Sequence, residues 1–468
     1  MSIQWALTEF TSGTGIEVST TNGKAFPHFI KVCVDKELAE VSLKNIEKLN
    51  LFATNSLDFV VSADTFHTFS DPESVILEYL RVIKDYGYLS IIIKKTEANS
   101  TLKALKRYVI WHKVEINGML LIVIRKGVSR DAAPTKVTSK TAIVVRYGAF
   151  GDQAQASSVY AGLKKQGYHV TLVTQMPGAV VIKHDPNIDK QIVLEVNQVP
   201  NQALGDFFKY LETICDKFVN LCESVEGTFL AMEPRPTFGW SQAARHMVMN
   251  GNYVEFQHAL AGVPHVPQIK FYSTSEEDNW AKKERAKYGK IVIMWSLSGS
   301  SVHKLNTQFV DLLPTVLETY KDVDFLFVGG PEVNDPELRA GLKRPRCHFT
   351  AGDWSIRQTL VMLNHVDLVC APETGVANWA SYLNIPKIVF LSHSSVNNLT
   401  RDWVNTHSIF TPTCKLACSP CHKLHFSDAT CNMEGNTGIA KCQSMMDVND
   451  TWKIVKSILD PIATINRS

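Results

Sequence analysis

Short apolar runs alternate with longer amphipathic stretches along nearly the whole chain, the pattern of strands and covering helices in parallel α/β layers. In the first 127 residues this pattern predicts strands at Ile30–Val34, Leu57–Ser62 and Tyr88–Ile92, with a helix over Pro72–Lys84. The stretch 129–140 is polar, contains Pro134 and has no hydrophobic period, which marks a linker. A second series opens with a strand at Thr141–Arg146, a helix at Ala154–Gln166 and a strand at His169–Thr174. A third begins near Lys290, with strands at Ile291–Ser296, Phe325–Val328, Leu368–Cys370 and Lys387–Leu391. The highly charged Ser273–Lys287 is expected to bridge these two series. The expected division is therefore 1–128, the linker 129–140, then 141–272 and 273–468. Two open α/β sheets in series place a cleft between them, and ligands in such folds bind at the C-terminal ends of strands.

Composition narrows the class. With 468 residues, 45% hydrophobic and 20% charged, the chain can bury several cores, which excludes wholesale disorder. A net charge of +2 excludes a globally basic nucleic-acid coat. The charge is uneven, however: Lys94–Arg146 holds twelve Lys or Arg against three acids. That run is either a solvated face with a charged linker or a surface for a polyanion such as DNA or a phosphorylated glycan. The longest apolar runs, such as Tyr88–Ile93 and Met119–Ile124, are too short to span a bilayer. Met1–Glu9 lacks the basic start and apolar stretch of a signal peptide, so a cytoplasmic chain is expected. Its cysteines should then be reduced thiols or metal ligands. Five of the ten fall between Cys414 and Cys442. Within that Cys-rich segment 414–442, Cys418, Cys421, Cys431 and Cys442 have a spacing that can close a tetrahedral structural zinc site, with His422 and His425 as spare ligands. Buried or free thiols are the alternative.

Four segments carry candidate chemistry. In Arg146–Thr174 a buried strand ends in a turn containing Gly148 and Gly151, followed by Asp152 near a helix start. Asp152 is either a helix cap or an acid facing the cleft. In Trp295–Asn306 a strand opens into Ser298, Gly299 and Ser300, small residues that can offer hydroxyls and amides to phosphates, and then presents Lys304. Phe325–Glu332 ends in Gly329 and Gly330, which admit a close neighbour such as a nucleobase. Leu368–Leu391 reads strand, turn, helix, strand, with Glu373, Thr374 and Gly375 at the helix start.

Residues 13–93 resemble a class I S-adenosylmethionine-dependent methyltransferase. Ser56–Ile93 is similar to that family from its fourth strand to its fifth, and Phe26–Asp35 to its second strand, where Asp35 would hold the ribose hydroxyls. The Gly-rich turn that lets the family's backbone approach the cofactor falls on Glu17–Gly23, where side chains replace glycines. The resemblance therefore implies a degenerate methyltransferase-like domain.

From about Thr141 onward the four segments together resemble glycosyltransferase family 9, whose best-known members are the lipopolysaccharide heptosyltransferases. The resemblance implies a GT-B fold: two Rossmann-like domains facing a cleft, an acceptor domain and then a nucleotide-sugar donor domain, here preceded by the third, methyltransferase-like α/β domain. By that resemblance Asp152 is the general base and Lys304 binds the pyrophosphate. Gly148, Gly151, Ser298, Gly299, Ser300, Gly329, Gly330, Glu373, Thr374, Gly375 and Asn378 are carried over as the donor site. Two positions depart from the family, Glu373 standing for Asp and Asn378 for His, so ADP-heptose is not carried over. The expected activity is inverting transfer of a sugar from a nucleotide-diphosphate sugar to a hydroxyl, on a cell-envelope glycan or on a hydroxylated base in DNA. A sugar-nucleotide-binding scaffold without turnover and a methyltransferase/glycosyltransferase bifunctional enzyme are the alternatives.

Overall fold

The computed structural model describes residues 3–19, 29–33, 41–42, 46–127, 140–297, 299–330 and 342–465. The expectations placed on Asp35, on Thr20–Gly23, on most of the linker and on Ser298 lie outside these residues.

The first sheet has seven strands: β1 (Gly15–Ser19), β2 (Ile30–Cys33), β3 (Val41–Ser42), β4 (Leu57–Ala63), β5 (Ile83–Lys94), β6 (Ile110–Ile116) and β7 (Met119–Arg125). Their order is β3-β2-β1-β4-β5-β7-β6, parallel through β5 and antiparallel at the β5–β7 and β6–β7 pairs. Two expectations are corrected here. Glu17, Val18 and Ser19 are the end of β1 rather than part of a cofactor turn. The helix Pro72–Val82 hands over to β5 at Ile83, not at Tyr88. Pairing with β4 is irregular between the Leu57–Ile83 and Phe59–Tyr88 partners, so the polar Lys84 and Asp85 interrupt the apolar run that marks the strand in the sequence. The core of this sheet is aliphatic and aromatic, with Ile16, Phe66, Tyr79, Leu89 and Ile91 fully buried.

Strands β8 (Thr141–Val145), β9 (His169–Gln175), β10 (Lys190–Leu194) and β11 (Lys217–Asn220) form a four-stranded sheet of order β10-β9-β8-β11. β12 (Ala231–Met232) pairs with a short late strand described below. The third series builds β13 (Ile291–Ser296), β14 (Val323–Val328), β15 (Cys347–Phe349), β16 (Leu368–Pro372), β17 (Lys387–Phe390) and β18 (Thr406–Ile409). These are all parallel, in the order β15-β14-β13-β16-β17-β18. β19 (Lys423–Leu424) is the partner of β12 and ties the cysteine-rich segment to it. The charged stretch expected as a bridge is a capped helix, Ser275–Arg285, whose Thr274 and Glu277 exchange cap hydrogen bonds.

By packing, the chain divides into two compact units, one of residues 1–143, 171–176 and 190–218, the other of 144–170, 177–189 and 219–468. In the second unit Trp295 stacks on Phe390 at 5.8 Å, and Phe325 on Phe327 at 6.0 Å. The amphipathic helix Val448–Ile465 closes this core with Val455 and Leu459.

Candidate active site

All features of the site lie in the second unit. In the sheet order, β13 stands next to β16 and β16 next to β17, so the loops leaving their C-terminal ends are neighbours. Those loops carry Gly299–Lys304, Glu373–Gly375 and Ser392–Ser394. A cavity of about 490 Å³ opens there. It is lined by Gly151, Asp152, Gly299, Ser300, Lys304, Gly329, Gly330, Glu373, Thr374, Gly375 and Asn378, so these expected residues meet in one place. Gly148 adopts φ +113° in the turn before the helix Phe150–Lys165, a conformation that favours glycine.

Asp152 is the third residue of that helix, and its Oδ2 accepts the Ala149 backbone N–H at 2.7 Å. The helix-cap alternative is thus realised in the same residue that faces the cavity. Its Oδ1 lies 3.1 Å from Arg146 Nη2, and Arg146, 2% exposed, is also bound to Glu226 Oε1 at 3.0 Å. Burial pushes the Asp152 carboxyl above the ordinary carboxylate range; Arg146 pulls it back, and Glu226 adds to the rise. Arg146 therefore orients Asp152 without wholly neutralising it, because Glu226 shares the guanidinium charge.

Lys304 follows the small-residue turn and sits half-buried in the cavity wall. Burial lowers its ammonium, against the pull of Glu373, Asp152 and Glu226. Gly299 must be small: a Cβ there would stand 2.8 Å from Lys304 Cδ and 3.1 Å from Thr374 Cγ2. Thr374 caps the helix Gly375–Ala380, its hydroxyl accepting the Ala377 N–H, and at six residues this helix has little macrodipole. Gly151 and Gly375 serve a close approach of two helices. A Cβ on Gly151 would lie 3.1 Å from Gly375 Cα, and Trp379 Nε1 donates to Phe150 O at 2.9 Å beside it. Asn378, 8% exposed, leaves its Oδ1 without a hydrogen-bond partner.

Glu373 is held by the protein's own groups. Its carboxylate accepts from Ser392 Oγ at 2.7 Å and the Ser394 N–H at 2.9 Å, and pairs with His393. Burial alone would raise this carboxyl, but His393, Lys304 and His303 hold it well below the carboxylate range. A fixed carboxylate cannot bind a diphosphate directly, so Glu373 positions the loops around it.

Sequence reasoning missed Arg146 and Glu226 as site residues, and with them Tyr253, Trp354, His393 and Ser394, which also line the cavity or orient its walls. Arg146 stands in the quoted motif but counts there only as a basic residue. Glu226 carries no local signal at all.

Cys418, Cys421, Cys431 and Cys442 line a second cavity of about 160 Å³, with His303 and His425. Cys414 is exposed and outside it. None of the described cysteines forms a disulfide. Burial pushes the Cys421 thiol up to about 12 and raises Cys431 and Cys442 as well. The four sulfurs share a cavity, but no three of them lie within 4.8 Å of one another among the described residues. Sulfurs around one zinc at about 2.3 Å would be closer than that. This arrangement gives the expected zinc site no support.

Half of the twelve basic residues of the run have partners in the protein or are buried. Lys94 pairs with Asp64 and Glu97, Lys95 with Glu115, Arg107 with Glu73, and Lys126 with Asp85. Arg125 lies over the rings of Tyr86, Tyr88 and Trp111, and Arg146 is buried. Among the described residues no helix is long and apolar enough to cross a membrane.

Residues 7–91 match the family described as a methyltransferase domain. No curated protein matches the chain by sequence. Among solved structures, the glycosyltransferase family 9 protein from Veillonella parvula is 14% identical, covering 68% of this chain and 97% of its own, with a TM-score of 0.50. The ADP-heptose lipopolysaccharide heptosyltransferase II of E. coli is 12% identical, covering 70% and 100%, with a TM-score of 0.49. The iron-containing dodecameric glycosyltransferase TibC from enterotoxigenic E. coli is 11% identical, covering 76% and 84%, with a TM-score of 0.45. The chain thus joins a methyltransferase-like α/β domain to a GT-B fold like that of the glycosyltransferase family 9 structure.

Proposed function

We propose that the protein is a nucleotide-sugar-dependent inverting glycosyltransferase. Residues 141–272 form its acceptor domain and 273–468 its donor domain. The observation that carries this reading is one cavity holding an oriented carboxylate, Asp152, and a cation, Lys304. In the reaction the acceptor oxygen attacks the anomeric carbon as its proton passes to Asp152. The bond from that carbon to the diphosphate breaks, and the nucleoside diphosphate leaves with the bonding electrons. Lys304, Ser300 and the Gly375 amide stabilise the departing charge. The orphan Oδ1 of Asn378 is suited to a sugar or ribose hydroxyl, which can donate to it.

The acceptor we favour is a cell-envelope glycan. The DNA reading drew on the basic run, and the pairing of Lys94, Lys95, Arg107 and Lys126 with the protein's own acids weakens that support. A thermal-shift screen of nucleoside diphosphates and nucleotide sugars, followed by transfer assays with the stabilising donor, tests the proposal. A tight ligand raises the melting temperature with the logarithm of its saturation. No stabilisation by any nucleotide sugar would count against both enzyme and scaffold; stabilisation without transfer or hydrolysis would leave the scaffold.

A further inference from the structure

We propose that His303, His393 and Glu373 form a three-ligand site for a divalent cation of the zinc, iron(II) or manganese class. His303 also lines the cysteine cavity, but no cysteine belongs to this group of three, and the proposal does not depend on the glycosyltransferase reading. The three residues leave the ends of β13, β17 and β16, adjacent strands of one sheet. They are 1%, 4% and 5% exposed, and one ligand atom from each lies within 4.8 Å of the other two. Ring nitrogens His303 Nε2 and His393 Nδ1 are 3.0 Å apart, and His393 Nδ1 is also in contact with Glu373 Oε2.

A proton on His393 Nδ1 serves the carboxylate and leaves His303 Nε2 as an acceptor, with the Ser301 hydroxyl at 3.3 Å as its other neighbour. A single divalent ion satisfies all three atoms together. Two imidazoles and one carboxylate suit borderline divalent metals and leave coordination positions open. Ser392 Oγ, 2.7 Å from Glu373 Oε2, steadies the carboxylate. By contrast, the cysteine sulfurs share a cavity without converging.

The test is metal analysis and cobalt(II) substitution of the full chain. The expected result is a cobalt spectrum with nitrogen–oxygen ligand-field bands. His393→Ala and the near-isosteric Glu373→Gln should each lose those bands and one bound cation per chain, while Cys421→Ser keeps the bands. Glu373→Gln preserves volume, so it answers the question if His393→Ala does not fold. Unchanged cation content and spectrum in a folded Glu373→Gln variant would overturn the proposal. So would bands that disappear in Cys421→Ser and persist in Glu373→Gln.

Discussion

One nitrogen of Arg146 lies 3.1 Å from Asp152 and 3.0 Å from Glu226, so a single buried guanidinium holds two carboxylates. If Asp152 is the base, Asp152→Asn keeps its shape and its cap but cannot take a proton. Turnover should fall by roughly 100-fold or more while donor affinity barely changes. Transfer kinetics set beside nucleotide-sugar titration check this. Near-normal turnover in a folded variant would leave Asp152 as a cap only.

The acid limb of the rate profile should lie above the ordinary carboxylate range, because burial raises Asp152. The base works deprotonated, so activity disappears as pH falls through that raised value. Glu226→Gln removes one of the charges that raise it, and the limb should move to lower pH. A limb that stays put, or moves upward, argues against Asp152 as the titrating group.

Lys304→Ala should weaken donor binding as well as turnover, since the diphosphate is charged both before and during reaction. Gly299→Ala should mimic it in part, because the new Cβ would press on the Lys304 stem at 2.8 Å. Calorimetry with the donor separates these variants from Asp152→Asn, whose affinity should be preserved.

Gly375→Ala tests the packing of the site. A Cβ there would collide with the Phe150 ring and stand 3.1 Å from Gly151 N. Overpacking of this kind costs about 1–3 kcal/mol. The expected outcome is a lower urea midpoint with an unchanged slope, together with weaker donor binding, because Phe150 and Gly375 both line the cavity.

Much of the fold was legible in the chain. Continuous apolar runs located β13, β14, β16 and β17 to within about two residues, because a parallel strand covered on both faces is apolar on both. They failed where the run is interrupted, as at Lys84 and Asp85 in β5. The motif residues Asp152, Lys304 and Glu373–Gly375 were legible because strand ends and glycine turns have local signatures.

What the sequence by itself determined was which segments become strands, which turns are tight, and which residues could do chemistry. Only the tertiary structure decided which of those residues meet. Arg146 reaches Glu226 across eighty positions, and His303, Glu373 and His393 come together because β13, β16 and β17 are neighbours in the sheet. The cysteines, clustered in sequence, share a cavity without their sulfurs converging. The physical reason is the same in each case: strand order is settled by long-range burial and pairing, and no local period records it.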